Sequence, residues 1–553
     1  MILQALQQYA QTQGLVGEPG FTDRRIHWAV DLDSDGEFLE LHDLREGSKG
    51  KQFPGCPDTP FSQIISAPRD NPRSQFLAES ARLLLDHTAS GDNTPAKAVQ
   101  REKRRRYFAG LLQDLADDVP HLSWIRAAVR FVQSDLAREQ ALARLVAGRG
   151  KPGDILVLTV EGRNPLLDDG WRSWWRQRRQ LYLPPGEGSL ARDLMTGELT
   201  SPVKTLPKIK GLVGVGGLPT GETLVSFDKP SFTSHGWQQN ANAPLSDESA
   251  ATVVASLSRL VEEAPTLAGT KICYWQTPAT PRSALNTLLN PTLSFEETGE
   301  TYSLAVLSGG GGRLRMRGWS QGPVRDLNAA VRLWFEDLAI SARWQEELSA
   351  PPSLDTLLRA LYGERDHQRR TVTAVALLQA AVSAGPLPAN LPALALPRNL
   401  LDLEEWGHLS PALMGLLRAY HRRRGTFIDP VIDPDHPSLS YHCGRLLAVL
   451  RSLQGLVADH EEATRWVVGR YAGASASPAT HLNRMTMDTY RRLGRLKIGG
   501  ERQRLALLTH AGPLMGRWPK VLNAHQQSLF ALGYYQQDTA TTVERKKMGD
   551  DER

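Results

Sequence analysis

Residues 446 to 456 read LLAVLRSLQGL, and Leu446, Leu447, Leu450, Leu453 and Leu456 recur at three- and four-residue steps. At 3.6 residues per turn those five side chains share one helix face, and such a face is stable only when packed against other elements. Residues 401–535 are therefore predicted to form a helical bundle. Just before it, Gly385 to Arg398 (GPLPANLPALALPR) carries too much proline for a regular helix, because each ring removes a backbone N–H and crowds the preceding turn. With the pair Pro351 and Pro352, it makes residues 351–400 a helical, proline-rich connector. Beyond the bundle, residues 536–553 mix Thr, Gln and charge with almost nothing to bury, which predicts a frayed tail.

Ahead of Pro351 the pattern changes. Ile155 to Val160 (ILVLTV), Thr223 to Phe227 (TLVSF), Lys271 to Thr277 (KICYWQT) and Tyr302 to Leu307 (YSLAVL) are β-rich or alternating. Helical spacing intervenes, as at Ala250 to Leu260 (AATVVASLSRL). Residues 1–350 read as an N-terminal mixed α/β region with antiparallel strands, and the chain as a whole as α+β. There is no internal repeat.

Composition narrows the class of function. The chain has 553 residues, 41% hydrophobic and 23% charged, without an apolar run of the ~18 to 20 residues that a membrane span needs. Its first ten residues, MILQALQQYA, lack the basic start and apolar core of a secretion signal. Cys56, Cys273 and Cys443 are too scattered for a local disulfide framework or zinc site. A soluble protein of the reducing cytoplasm is expected. The net charge of +5 is unevenly spread, since residues 351–553 hold 26 basic and 19 acidic side chains. That part of the chain carries a bias toward polyanions, unless its cations simply coat solvated helices.

Catalytic patterns are weak. Gly216 to Thr223 (GGLPTGET) has the glycine spacing of a phosphate-binding loop, but Glu222 stands where lysine is needed and would repel phosphate. Gly309 to Gly312 suit a hairpin loop better than a dinucleotide site, because no helix pattern follows. His436, His442 and Cys443, with Asp433 and Asp435, sit on chain broken by Pro434 and Pro437 and match no metal-ligand spacing. Asp366 and His367 form an isolated pair. No enzyme activity, cofactor or metal is expected.

Binding patterns are stronger. In Arg313 to Arg317 (RLRMR), a strand would put Arg313, Arg315 and Arg317 on one side, ~7 Å apart, matching the scale of a phosphate backbone. At Trp171 to Gln180 (WRSWWRQRRQ), helical spacing separates Arg172, Arg176 and Arg179 from a tryptophan face that serves either as core or as a base-stacking platform. Arg101 to Arg106 (REKRRR) either tracks phosphates or coats a solvated helix. Lys208 to Ser246 combines lysines, a glycine-rich turn and a polar loop. There Gln238, Gln239, Asn240 and Asn242 offer the paired donors and acceptors that suit base edges, and Lys208 and Lys210 could neutralise phosphates.

At this stretch the sequence resembles the large subunit of the type I-C CRISPR Cascade surveillance complex. The resemblance is carried by Thr196 to Glu198 (TGE), Pro207 to Gly211 (PKIKG), Leu224 to Phe227 (LVSF), Phe232, Gly236, Gln239 and Asn242 to Ser246 (NAPLS). It extends from MILQAL at the start and Asp43 to Gly47 (DLREG), through Arg313 and Arg317, to Gly444 to Leu450 (GRLLAVL), Ala474 to Pro478 (ASASP) and Phe530 to Gln536 (FALGYYQ). The family pattern has Asn where Asp228 stands, Tyr where His235 stands and His where Gln536 stands. A carboxylate at 228 facing a phosphate would weaken a DNA contact.

The resemblance implies a non-catalytic subunit that reads a short PAM in double-stranded DNA, wedges the strands apart and leaves the remaining specificity to guide-RNA pairing. Its implied partners are the 5′ handle region of the guide RNA, target double-stranded DNA, the Cascade backbone and handle-binding subunits, the small subunit and a helicase-nuclease, with no membrane. In this family the C-terminal helical part is also made separately, as the small subunit, and Met414 is one candidate start. Lys208, Lys210, Gln239, Asn240 and Asn242 are then expected at the PAM and wedge, with Asn71 on an N-terminal loop (Arg69 to Arg73, RDNPR). Arg313, Arg317, Arg491, Arg492 and Arg495 are expected to grip the backbone. The rival class is a scaffold whose basic helices meet acidic partner subunits and never touch DNA.

Overall fold

The computed structural model describes residues 2–551 except 16–17, 48, 60–71, 89–93, 181–189, 234, 279–282, 344, 346, 364–366, 456–459 and 495–499. Asn71, Arg495, Leu456 and Asp366 thus lie outside the described residues. The chain divides into two compact units and crosses between them repeatedly. One holds Met1–Gly211, Leu218–Glu262 and Gly311–Leu314, and the other Leu212–Gly217, Glu263–Gly310 and Arg315–Arg553. The class is α+β as expected, with antiparallel and mixed sheets first and helices last.

In the first unit, Ile155–Val160 forms a strand with the bounds the sequence suggests, and all but its first residue are buried. Burial on both faces explains why ILVLTV is apolar almost without interruption. It pairs in parallel with Trp28–Leu32, Val30 lying opposite Leu158, and antiparallel with Ala78–Ser80. Phe38–Asp43 completes the sheet beyond Trp28–Leu32. The helix Trp124–Gln133 contributes Ile125, Ala128, Phe131 and Val132 to the same core. Trp171, Trp174 and Trp175 close around Phe76, at ring separations of 5.9, 5.4 and 5.1 Å. The tryptophan face of WRSWWRQRRQ is therefore core, not a stacking platform.

The run Thr223 to Phe227 is not a strand. Its backbone makes one isolated bridge, Thr223 with Arg313, next to a second just before the run, Ile209 with Glu222.

In the second unit, Leu314 apart, an antiparallel sheet runs Leu314–Pro323, Thr301–Gly309, Thr270–Thr277 and Thr266–Leu267. Cys273 faces Ala305 in its central pair. In the same unit the helix Leu439–Gln454 forms the centre of the bundle, packed against His460–Ala476, Pro478–Leu493, Gly500–Ala511 and Ala524–Asp551. Ser440 through Arg451 are all buried, so this helix is enclosed on every side and not only along its leucine face. Its polar members are paired inside: Arg445 Nε donates to Gln537 Oε1 (3.2 Å) and Arg451 Nη1 to Asp538 Oδ1 (3.0 Å).

Two expectations for this half need correction. Leu391–Trp406 is helical despite its prolines. Pro392 falls in the first turn, where an N–H has no helical partner anyway, and only Pro397 interrupts the interior. The tail predicted to fray continues the helix Ala524–Asp551. Gln536 and Gln537 are buried, because Tyr441 donates to Gln536 and Gln536 Nε2 donates to Asp429 O (2.7 Å). Among the described residues no helix is long and apolar enough to cross a membrane.

Candidate nucleic-acid interface

The glycine-rich turn is closed to phosphate. Glu222 is fully buried, and its Oε1 accepts the Leu218 N–H (2.7 Å), so the carboxylate caps its own loop. On the partner strand of the Ile209–Glu222 bridge, Lys208 is half-buried and Lys210 exposed. Burial pushes the Asp58 carboxyl up, while Arg24 and Lys210 pull against that shift.

A second support lies at Asp193. Its Oδ1 accepts the N–H groups of Met195 (2.7 Å) and Thr196 (3.1 Å), and its Oδ2 accepts that of Ser246 (2.6 Å). One carboxylate thus joins the Thr196–Glu198 turn to the NAPLS segment. Burial raises its pKa, but the amides of Ser246, Met195 and Thr196 outweigh that and hold it below the usual carboxylate value. Asp193→Ala should cost about 3 kcal/mol in urea unfolding, since three backbone amides, that of buried Met195 among them, lose a charged acceptor. A loss within experimental error of zero would show that the turn holds without it.

Between these supports runs an exposed loop. From Asp228 to Gln239 the described residues are exposed apart from half-buried Phe232. Trp237 is 52% exposed and tilts against His235 at 6.2 Å. Gln239 opens a short 3-10 turn with φ of +46° and is exposed, and Asn242 Nδ2 donates to its carbonyl (3.0 Å). Asn240 is only 2% exposed, which removes it from the residues able to meet a base edge. In a three-residue turn successive side chains point a third of a circle apart, so neighbours in sequence separate into tip and core. The lysine whose backbone meets this turn is Lys204, accepting the Asn240 N–H at 3.3 Å.

The expected strand arginines do not act as one row. Arg313 pairs with Asp228, Arg317 Nε donates to Ser308 Oγ (3.0 Å), and Arg315 lies against Gly310. On the opposite face Leu314 is buried but Met316 is 42% exposed, so the strict alternation covers only one end. Arg491 and Arg492 stand exposed on the helix Pro478–Leu493, with Asp488 3.8 Å from Arg491. In REKRRR, Arg101 and Arg105 converge on Asp86, and Glu102 takes Arg105 and Arg106. Part of that charge is neutralised within its own helix surface.

Trp237, His235 and Lys204 join the candidate contacts only through the structure; an aromatic in a stretch otherwise rich in amides and glycine is the sequence signal for the first. Among the described residues no group of three or more His, Cys, Asp or Glu side chains is placed to hold a metal ion.

Residues 3–542 match the family model described as CRISPR-associated protein (Cas_Csd1). No curated protein sequence matches the chain.

Proposed function

The chain belongs to the CRISPR-associated Cas_Csd1 family, the large-subunit family of type I-C Cascade, and from that premise we propose that it recognises the PAM in double-stranded DNA. In this reading it helps unwind the duplex, stabilises the R-loop and helps recruit a helicase-nuclease, in the cytoplasm and without catalysing a reaction itself. Guide RNA pairing supplies the remaining specificity.

One observation carries the reading: the exposed run of Trp237, Gln238 and Gln239, which bears no charge and lies in the unit that also holds Lys204, Lys210 and Arg313. Amide side chains read base edges by paired hydrogen bonds, and an exposed indole is the kind of wedge that parts stacked base steps. Arg491 and Arg492 fit sequence-independent phosphate contacts. Because Gln238 and Gln239 are both exposed, replacing them by Ala leaves the core untouched.

In the assembled complex, Gln238→Ala/Gln239→Ala should lose about 1–3 kcal/mol of discrimination for each paired base contact removed. Binding to a pool of randomised duplexes, read by sequencing the bound fraction, measures it directly. Unaltered enrichment, or no duplex binding by the wild type, would favour the scaffold whose cations meet acidic subunits.

A further inference from the structure

Arg313 is fixed by its backbone and engaged by its side chain. Thr223 N–H and Oγ1 donate to Gly312 O (3.0 and 2.8 Å), and Leu314 N–H donates to Thr223 O (2.8 Å). These bonds lock the main chain on both sides of residue 313. The guanidinium runs over Phe232, 5.9 Å from the ring centroid, and ends in an ion pair with Asp228. Asp228 and Phe232 belong to one loop, braced by the edge-on contact of Phe227 with Phe232 at 5.5 Å and by Phe232 N–H to Lys229 O at 3.0 Å. The pair remains wet, the Arg313 side chain being 41% and that of Asp228 66% exposed.

A carboxylate and a phosphate present the same feature to a guanidinium, a planar pair of anionic oxygens that accepts two N–H bonds. An ion pair this exposed is screened by water and is readily exchanged. We propose that Asp228 is an intramolecular stand-in for phosphate, occupying Arg313 until the backbone of duplex DNA displaces it, and that it thereby sets the affinity of the protein for duplex. This rests on the DNA-binding function proposed above.

The competition has a definite signature. Asp228 costs the same for every duplex, because the contact it blocks carries no sequence information. It therefore lowers affinity without changing the preference among sequences. Removing its charge exposes one more cation to the duplex, which steepens the dependence of log affinity on log salt by up to about 0.9.

The test compares wild type, Asp228→Asn, Arg313→Ala and the double variant in the assembled complex, by fluorescence anisotropy. The probes are a labelled duplex enriched by the wild type and a scrambled duplex, each at two salt concentrations. Asp228→Asn should bind both duplexes roughly 2- to 5-fold more tightly, with their ratio unchanged, and the double variant should match Arg313→Ala alone. No tightening by Asp228→Asn in a complex whose wild type selects its duplex overturns this inference and leaves the DNA-binding function standing. Tightening that survives loss of Arg313 also overturns it. A wild type that binds neither duplex removes the function and the inference together.

Discussion

Gly444→Ala should melt the helical unit well below the temperature at which the wild type unfolds. A Cβ at residue 444 would lie 1.9 Å from Phe530 O and 2.7 Å from Tyr534 N. The contact is reciprocal, for a Cβ at Gly533 would lie 2.1 Å from Tyr441 O. Both obstacles are main chain inside helices and cannot swing aside, so Leu439–Gln454 and Ala524–Asp551 would have to part. Separation loosens everything packed across them, including Leu447, Phe530 and Tyr534, all fully buried. The cost should be about 3 kcal/mol or more, a large share of the ~5–15 kcal/mol that holds a domain together. Gly533→Ala should behave alike, and the double variant should lose less than the sum, because each pries open the same seam. Gly469→Ala is the control: nothing lies within 4 Å of its Cβ, and it sits inside the helix His460–Ala476. It should be neutral or stabilising by up to ~1 kcal/mol. A Gly444→Ala melting temperature equal to the wild type would mean that the helices do not approach this closely.

This seam shows which parts of the structure a linear reading reaches. Ile155–Val160 could be read to the residue, because a strand buried on both faces leaves a continuous apolar run. Tyr302 to Leu307 falls within the strand Thr301–Gly309 for the same reason, and Lys271 to Thr277 within Thr270–Thr277 through its β-branched and aromatic residues. Long-range partners could not be read. The tail looks unable to bury anything until Tyr441 and Asp429, about a hundred residues earlier, supply hydrogen bonds to Gln536. Nor does local sequence reveal that residues 212–217 and 311–314 belong to different units from their neighbours. At the candidate interface, composition marked the amide-rich loop, but only the turn geometry separates exposed Gln239 from buried Asn240. The engagement of Arg313 by Asp228 joins positions 85 residues apart and has no local signature.

The same dense packing makes the helical unit sensitive to acid. His421 is fully buried on Pro411–Arg422, with Nε2 2.7 Å from Ser528 Oγ and its ring 4.5 Å from that of His525. Burial, reinforced by His525, His436 and Arg424, pushes its pKa down to about 3. In the unfolded chain the imidazole titrates near ~6.5. Above that value both states are neutral and the histidine adds no pH dependence. As pH falls below it, the unfolded chain takes up a proton that the folded one refuses, and stability is lost at about 1.4 kcal/mol per pH unit until the folded value is reached. By pH 4.5 His421 alone should cost about 2.7 kcal/mol. Burial likewise lowers the pKa values of His408, His436, His442, His510 and His525, so their contributions carry the same sign. Urea unfolding between pH 7 and 4 should therefore show a steep decline. His421→Asn keeps a group able to bond Ser528 but cannot take the proton, so its decline should be shallower by about one proton even if its stability at pH 7 is lower. An unchanged slope would mean that another group controls the acid transition. All six of these histidines lie in the second unit, so the acid transition should begin in the helical bundle.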